Sequence, residues 1–397
     1  MSETYVKSVD LIRQGLTPEG YLAALEAHAN YHRVWARDGI ITGLAAILSN
    51  ENDLIEGLKH TLLTLKTYQH SNGMIPSNIE FDINGNPEKI SYGRLTGKVD
   101  TELWFIIGSC IYFNKTKDHQ FKREVHQSIE KIIHLLQSWE FNGRGLLYVP
   151  QGGNWADEFI LEGYNLSEQL LYYWALMEAS RVFESELLQI KAQRLKQIIQ
   201  INYWPSAENE DDAYHKTAFA RLAKQGDVNY WIAGFKPSGY FHYFDCFAHA
   251  LSFLLELNSA SQKQNIKSSI EGIISGLDDT LLPSFYPFIE KGKPGWETLQ
   301  NSWTCQFRNY PGAYQNGGVW PVFNGLLIAG LYKLNEINLA DKLRQALLRA
   351  VALPDNTYGF YEYIDAKTWS VGGTKHQLWS AAGVIFAENA AQNIFLI

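Results

Sequence analysis

The chain has 397 residues, of which 46% are hydrophobic and 14% aromatic, and its formal net charge is −8. Its Lys and Arg residues are scattered, so we exclude a nucleic-acid partner, because phosphate recognition needs a clustered basic face. No apolar run approaches the ~20 residues of a membrane span, and the N-terminus lacks a signal-peptide pattern, so we expect a cytoplasmic protein without membrane contact.

Apolar residues recur every three or four positions through most of the chain, which is typical of helices. Segments such as 38–49 and 318–336 are apolar on nearly all sides, whereas 338–352 is amphipathic. A helix that is apolar all round is buried, so we expect an inner and an outer layer of helices. The twelve predicted helices cover residues 3–14, 38–49, 52–70, 99–115, 117–139, 165–182, 184–202, 243–258, 262–277, 318–336, 338–352 and 375–395.

Six of these helices are preceded by loops rich in Trp, Tyr, Gly and carboxylates. The spacing of the six junctions leaves room for a pair of helices and a long loop in each interval, which predicts an all-α (α/α)6 toroid. We expect residues 1–397 to form this single domain, with all six loops at one end. Because Tyr and Trp combine an apolar face with a polar edge, this end suits a sugar ligand. The junctions are residues 31–39, 93–105, 152–165, 239–245, 314–323 and 361–379.

The sequence predicts neither a metal nor a cofactor. Cys110, Cys246 and Cys305 are odd in number and widely spaced, which fits neither a disulfide framework nor a zinc site, and we expect the first two to be buried thiols. His28 and His32 are four residues apart, but no carboxylate completes a zinc signature there. Motifs for nucleotide binding, phosphate binding and serine hydrolases are absent from the sequence.

Two carboxylates are the candidate catalytic residues. Asp100 follows a Gly-rich loop and precedes an apolar helix, where the alternative is a helix N-cap. Glu362 lies between Tyr361 and Tyr363, and such aromatic neighbours are expected to desolvate a carboxylate and change its proton affinity. Its alternative is a structural carboxylate at the rim. Only a closed ring could bring two residues so distant in the chain together.

Further polar and aromatic side chains of the junctions are candidate substrate ligands. Asp38 could hold two adjacent sugar hydroxyls, and Arg37 could orient a catalytic carboxylate or pair with Asp38. Asp157 is an alternative general acid, or else a helix cap or a salt-bridge partner. The other candidate substrate-binding residues are Trp35, Trp104, Trp155, Glu168, Gln169, Tyr314, Asn316, Trp320 and His376.

Several segments resemble known (α/α)6 glycoside hydrolases. VDTELWF (99–105) is similar to the V-D-x-x-L-W-F segment in the amylo-α-1,6-glucosidase part of glycogen-debranching enzymes and to the V-D-S-x-x-W-W segment of alkaline/neutral invertases. VWARDG (34–39) resembles the W-x-R-D and F-x-R-D segments of the same two families. GMIPSN, YQNGGVWP and a YEY-to-QLWSAAG ending have invertase-like counterparts in the same order, so the resemblance covers about residues 31–385.

The resemblance implies an inverting hydrolase that cleaves a terminal α-glucosidic bond of a small oligosaccharide or α-glucan, in the manner of a debranching enzyme. It assigns Asp100 as the general acid and Glu362 as the general base. The chain departs from the invertase pattern where Tyr361 replaces a Pro and where E-I-Q appears only as Ser167-Glu168-Gln169. A homo-oligomer is possible on this reading.

Three alternatives remain at this stage. The first is a sucrose-cleaving alkaline/neutral invertase, which keeps the hydrolase chemistry and changes the substrate. The second is a sugar 2-epimerase, which would rely on histidines at helix ends, here His242, His249 and His376. The third is a glycan-binding protein without catalytic activity.

Overall fold

The structure of the protein is a computed structural model that describes residues 2–27, 29–206, 211–224, 229–277, 281–302 and 306–397. His28 and Cys305, on which two sequence interpretations depend, lie outside the described residues.

The described residues form fourteen helices, and these include all twelve predicted ones. Predicted and observed ends differ by a few residues; the segment expected to begin at 243 begins at 246, because a strand occupies 239–245. The short helices α8 and α11 were not predicted. The bounds are α1 Glu3–Gln14, α2 Ala36–Ser49, α3 Asn52–Thr67, α4 Val99–Thr116, α5 His119–Trp139, α6 Leu166–Val182, α7 Glu186–Asn202, α8 Lys216–Lys224, α9 Cys246–Leu254, α10 Ala260–Ser275, α11 Trp296–Gln300, α12 Pro321–Lys333, α13 Ile337–Val351 and α14 Leu378–Ala390.

Six helices contact one another in a closed cycle, as in a helical toroid. The cycle runs from α2 to α4, α6, α9, α12 and α14, and α14 returns to α2. Outside it, α3 packs on α2, α5 on α4, α7 on α6, α13 on α12, and α1 on α14. Each helix of the inner ring therefore has ring neighbours on two sides, and most have a further helix behind.

The two layers follow the predicted hydrophobic patterns. Every residue of α4 from Val99 to Phe113 is buried, and the same holds for α12 from Pro321 to Tyr332. By contrast, α5 and α13 bury one face only, with buried positions that recur every three or four residues. An apolar surface on all sides can be buried only between neighbours, which is why these sequences occupy the inner ring.

The prediction of an all-α fold is wrong in one respect, because eleven short strands occur within the described residues. They form four small antiparallel sheets in the segments between helices, with the orders β1-β2, β3-β4-β5, β6-β7-β8-β9 and β10-β11. Backbone groups of partly buried loops need hydrogen-bond partners, and strand pairing supplies them. The bounds are β1 Leu16–Thr17, β2 Gly20–Tyr21, β3 Val34–Trp35, β4 Asn78–Phe81, β5 Pro87–Ser91, β6 Tyr164–Asn165, β7 Ile232–Lys236, β8 Gly239–Asp245, β9 Phe285–Tyr286, β10 Tyr363–Ile364 and β11 Val371–Gly372.

Three sequence expectations about membranes, cysteines and metals can be compared with the described part of the chain. None of its helices is long and apolar enough to cross a membrane. Cys110 and Cys246 are buried free thiols, as expected. No group of three or more His, Cys, Asp or Glu side chains that could hold a metal ion occurs in the same described ranges.

Candidate active site

The inner helices begin at a common end of the ring, where the loops that precede them are bonded to one another. The amide of Val99 donates to the carbonyl of Gly153 at 2.7 Å, and Val319 and Ile364 exchange two backbone hydrogen bonds. Buried polar side chains lie in the first turn or at the cap of five inner helices. Because helix N-termini carry partial positive charge, this end favours carboxylates. These side chains are Asp38 (α2), Asp100 (α4), Glu168 (α6), Asp245 (α9) and Gln377 (α14).

Asp100 and Asp38 share the guanidinium of Arg37. Arg37 Nη1 donates to Asp100 Oδ2 at 3.1 Å, and its Nε lies 3.5 Å from Asp38 Oδ2. Both carboxylates are buried, and Asp100 Oδ1 has no hydrogen-bond partner among the described residues. Burial raises the pKa of Asp38, against the opposing effect of Arg37. Arg37 therefore contacts both carboxylates, which is the geometry that each of its two predicted roles requires.

Glu362 is buried on the other side of the ring closure, beside β10. Tyr31 Oη donates to Glu362 Oε1 at 2.7 Å, and the amide of Thr374 donates to Oε2 at 3.2 Å. Burial raises the pKa of Glu362 to about 6, although Arg308, Tyr31 and Thr374 each oppose this shift. A carboxyl with this pKa is ionised at neutral pH and can still accept a proton.

The two carboxylate clusters belong to one electrostatic site. Asp38 is close enough to Glu362 to raise the pKa of the latter, and Asp100 in turn raises the pKa of Asp38. Asp38 is therefore common to both clusters, although Asp100 and Glu362 are far apart in sequence. The ring closure between α2 and α14 brings these segments together.

Asp157 is a fixed and ionised carboxylate. Lys98 Nζ donates to its Oδ2 at 3.1 Å, and Gln315 Nε2 donates to its Oδ1 at 3.1 Å. Burial acts to raise the pKa of Asp157, but Lys98 and Gln315 outweigh it and the pKa is lowered. Its side chain is 41% exposed. A carboxylate that is held ionised at both oxygens is suited to accepting substrate hydroxyls and unsuited to donating a proton.

Two candidate ligands use their amides for the main chain instead. Gln169 accepts from the amide of Leu147 at 2.9 Å and donates to the carbonyls of Leu147 and Asn165. Asn316 accepts from the amide of Ile289 at 2.8 Å and donates to the carbonyls of Ile289 and Asn309. With these groups occupied, both residues fix loops and do not offer a free amide to a sugar.

The candidate tryptophans occupy different depths. Trp104 is buried in the ring, where it stacks on Phe247 at a centroid distance of 6.2 Å, so its position is that of a packing residue. Trp155 and Trp320 are also buried and pack edge-to-face at 5.4 Å. Trp35 is half-buried, and its indole Nε1 donates to the carbonyl of Asn30 at 2.8 Å. Of the four, Trp35 is the most exposed.

The remaining candidates are Tyr314, Glu168 and His376. The ring of Tyr314 is buried at the site, and Asp157 and Glu362 both lie close enough to raise its pKa, after the larger effect of burial. Glu168 is fully buried in the first turn of α6. His376 lies at the rim, where its Nδ1 is 3.2 Å from Glu26 Oε1 and the side chain is 29% exposed.

Sequence reasoning missed Arg308 and Tyr31. The guanidinium of Arg308 lies 3.8 Å from the centroid of Tyr314 and 3.5 Å from a carboxylate oxygen of Glu158. It also lowers the pKa of Glu362. Tyr31 could have been found, because it begins the junction loop 31–39. Arg308 stands in a segment without a recognisable motif, so only its position in space reveals it.

Comparison with known proteins places the chain in a family. Residues 8–223 match the family described as alkaline and neutral invertase. Residues 289–380 match a mannosylglycerate hydrolase MGH1-like glycoside hydrolase domain. The two matches lie on either side of the residues around Asp245 and together include Asp100 and Glu362.

Relatives similar over most of their length carry invertase names. The probable alkaline/neutral invertase F of Arabidopsis thaliana is 26% identical, covering 94% of this chain and 83% of the relative. The probable chloroplastic alkaline/neutral invertase A of the same plant is 24% identical, covering 95% of this chain and 68% of the relative.

Solved structures share the fold. The GH63 mannosylglycerate hydrolase from Thermus thermophilus, in complex with Tris and D-glycerate, superposes with a TM-score of 0.70 at 15% identity, covering 96% of this chain and 99% of that one. Its identity to this chain is low, so the likeness concerns the fold alone. The family match over more than half of the chain shows that this protein is a glycoside hydrolase of the alkaline and neutral invertase family.

Proposed function

We propose that this protein is an (α/α)6-barrel hydrolase that cleaves a terminal α-glucosidic bond with inversion, with Asp100 as the general acid and Glu362 as the general base. One observation carries the proposal: two buried carboxylates, distant in sequence, belong to one electrostatic site through Asp38. Their environments differ, since Asp100 pairs with Arg37 whereas Glu362 accepts two hydrogen bonds and has a pKa near 6.

In this reaction, protonated Asp100 donates its proton to the glycosidic oxygen as the bond to the anomeric carbon breaks. Ionised Glu362 removes a proton from a water molecule that attacks the opposite face of the sugar. Inverting enzymes hold these two carboxyls roughly 6.5–9.5 Å apart so that the water fits between them. The hydrogen bonds from Tyr31 and Thr374 fix the direction of the Glu362 carboxylate.

Asp157 is better suited to holding sugar hydroxyls than to donating the proton as general acid. Its negative charge is stabilised by Lys98, and it is the most exposed carboxylate of the site. Asp38 is a second hydroxyl acceptor on the side of Arg37. Trp35, as the most exposed indole of the four candidates, offers an apolar face for a sugar ring.

Sucrose is the first substrate to test, because the curated relatives described above are invertases. The α-1,6-glucosidic linkage of a debranching substrate is the second, because VDTELWF and VWARDG resemble the amylo-α-1,6-glucosidase segments. The assay compares sucrose, isomaltose, panose, limit dextrin and mannosylglycerate. Release of glucose from sucrose alone supports the invertase activity; cleavage of isomaltose or panose in preference supports the debranching-like activity.

Proton NMR of the first product tests the stereochemistry. Inversion of an α-glucoside releases β-glucose before mutarotation, so the β-anomer should appear first. Early release of α-glucose would contradict the inverting mechanism. Ligand-induced thermal stabilisation without any product would instead support a glycan-binding protein.

The epimerase alternative has little support from the histidines. His249 is fully buried, its ring lies 3.9 Å from that of Phe244, and burial lowers its pKa to about 4. His242 is exposed, and His376 pairs with Glu26 at the rim. These three side chains do not form a common acid–base site.

A further inference from the structure

The carboxylate of Glu362 lies against the backbone of the hairpin that β10 and β11 form. Across this hairpin, Tyr363 pairs with Gly372. The amide of Glu362 donates to the carbonyl of Thr374 at 3.0 Å, and the amide of Thr374 donates to Glu362 Oε2 at 3.2 Å. Glu362 is therefore bonded, through both its backbone and its side chain, to the residue that follows Gly373.

Gly373 leaves open the space that the carboxylate of Glu362 occupies. A Cβ atom added to Gly373 would overlap Glu362 Oε2, and it would lie 2.6 Å from Glu362 Cβ and 2.9 Å from Cδ. Carbon atoms that are not bonded pack best at about 3.5–4.0 Å, so these approaches are clashes. The carboxylate is buried and held by Tyr31 and Thr374. An added methyl group must therefore displace the carboxylate or the hairpin.

This contact separates Gly373 from an ordinary turn glycine. Gly373 is exposed directly after β11, and surface substitutions usually have small effects. Its φ of +74° lies in the left-handed region, which favours glycine for a conformational reason alone. Gly292 is also exposed and has a φ of +73°, but a Cβ added there meets nothing within 4 Å. The two glycines match in exposure and conformation and differ in the contact with Glu362.

We propose that Gly373 is a positioning residue for the general base, because its missing side chain makes room for the Glu362 carboxylate beside the Thr374 amide. This inference rests on the proposed function, in which Glu362 removes a proton from the attacking water. A general base must be within hydrogen-bond reach of that proton, and a misplacement of about 1 Å can cost about 100-fold in rate. Gly373 thus acts on the reaction through Glu362.

The first experiment compares Gly373→Ala with Gly292→Ala in steady-state hydrolysis. Both variants add one methyl group at an exposed glycine with a left-handed φ, so both carry the same backbone strain. Gly373→Ala should lower kcat by about 10-fold to 100-fold and keep KM within about threefold of wild type, because a displaced base weakens only the transition state. Gly292→Ala should keep kcat within about twofold of wild type. Equal kcat values for the two variants would overturn the inference.

The pH profile separates a displaced carboxylate from a hairpin that is merely loosened. The hydrogen bond from the amide of Thr374 lowers the pKa of Glu362, because it stabilises the ionised form. Its loss in Gly373→Ala should move the acid limb of kcat/KM to higher pH by about one unit, the usual worth of a hydrogen bond to a charged group. The acid limb of Gly292→Ala should coincide with that of wild type. A lowered kcat with a wild-type acid limb in Gly373→Ala would contradict the proposal.

A double-variant cycle tests whether Gly373 acts through Glu362. Glu362→Gln already lacks the base, so adding Gly373→Ala to it should change the residual kcat by less than about twofold. A loss as large as the one in the wild-type background would mean that Gly373 supports the site by another route, and the inference would fail.

The same variants distinguish this inference from the proposed function. If Glu362→Gln keeps full activity, the assignment of the base fails, and the inference fails with it. If Glu362→Gln is inactive while Gly373→Ala behaves like Gly292→Ala, only the positioning inference fails.

Asparagine supplies a second variant in case Gly373→Ala does not fold. Asparagine tolerates the left-handed region better than alanine, so Gly373→Asn relieves the backbone strain while its Cβ still meets Glu362. Its control is Gly292→Asn, and the same changes are expected. If neither variant of Gly373 folds, NMR of the wild type decides: the amide resonance of Thr374 should shift with a midpoint near pH 6 as Glu362 titrates. A resonance that stays in place between about pH 5 and 7 would overturn the inference.

Discussion

At the scale of single residues, Asp100 and Glu362 differ in how their negative charge is held. Asp100 contacts a guanidinium, whereas Glu362 is stabilised by hydrogen bonds from Tyr31 and Thr374 and by the more distant charge of Arg308.

Asp100→Asn and Glu362→Gln should each lower kcat by about 10²–10⁴ or more, because each removes a group that moves a proton in the transition state. Both substitutions keep side-chain size, so circular dichroism should match wild type. The measurement is steady-state hydrolysis of the substrate identified in the panel. Activity of either folded variant within tenfold of wild type would remove that residue from its proposed role.

Tyr31→Phe should move the acid limb of kcat/KM to higher pH. Glu362 must be ionised as the base, so wild-type activity should fall as pH drops through about 6. Loss of the hydrogen bond from Tyr31 destabilises the ionised form and raises the pKa of Glu362. The shift should be about one pH unit, because a bond to a charged group contributes about 1.5 kcal/mol and 1.36 kcal/mol is one pKa unit.

Tyr361→Phe is the control for this pH profile. Tyr361 is adjacent to Glu362 in sequence, but its hydroxyl does not donate to the carboxylate, whose hydrogen bonds come from Tyr31 and Thr374. The acid limb of the kcat/KM profile of Tyr361→Phe should therefore coincide with that of wild type. An unchanged acid limb in Tyr31→Phe would show that the hydrogen bond from Tyr31 does not set the pKa of Glu362.

At the scale of elements, helices α12 and α14 approach each other closely where Gly325 faces Gly383. A Cβ atom placed on Gly325 would lie 2.0 Å from the carbonyl oxygen of Gly383. Backbone atoms cannot move aside as a flexible side chain can, so any larger residue must push the two helices apart. Glycine at this position thus sets the spacing on which ring closure depends.

Gly325→Ala should lower the free energy of unfolding by about 1–3 kcal/mol, which is the usual cost of overpacking a core. The matched control is Gly272→Ala in α10, where an added Cβ meets nothing within 4 Å. That variant should gain about 0.4–1 kcal/mol, because alanine loses less conformational entropy in a helix. Urea denaturation measures both; a Gly325→Ala variant as stable as wild type would contradict the close contact.

The loops are the elements that the sequence described least well. Periodicity located the twelve helices but predicted none of the eleven strands among the described residues, because strands of two to seven residues have no extended pattern to detect. Gln169 and Asn316 looked like sugar ligands because amides often are. Which partner an amide uses depends on loops that arrive from elsewhere in the chain, here around Leu147 and Ile289.

At the scale of the whole molecule, each inner helix packs between two others, and the last contacts the first. Removing any one helix would expose apolar faces on both neighbours. We therefore predict that the chain unfolds as one cooperative unit, although its length allows several domains. Far-UV circular dichroism and tryptophan fluorescence should give coincident urea transitions; separate midpoints would contradict the single-domain prediction.

The amino-acid sequence by itself determined the helices, their division into inner and outer layers, and the end at which the acidic and aromatic residues gather. It could do so because burial is encoded in the local spacing of apolar residues, and because Asp100 and Glu362 stand in short segments that resemble known enzymes. These properties depend on neighbours within a few residues along the chain.

Only the tertiary structure decided which of these side chains act together. Ring closure places Asp38 near Glu362 and brings Tyr31 into hydrogen-bond contact with it. The fold also brings Arg308 close enough to Glu362 to lower the pKa of that carboxyl. It also commits Asp157 to Lys98 and Gln315, and buries Glu168 close enough to Asp100 for that residue to raise its pKa, after the larger effect of burial. Proton affinities follow from such contacts between distant segments, and no local pattern in the sequence specifies them.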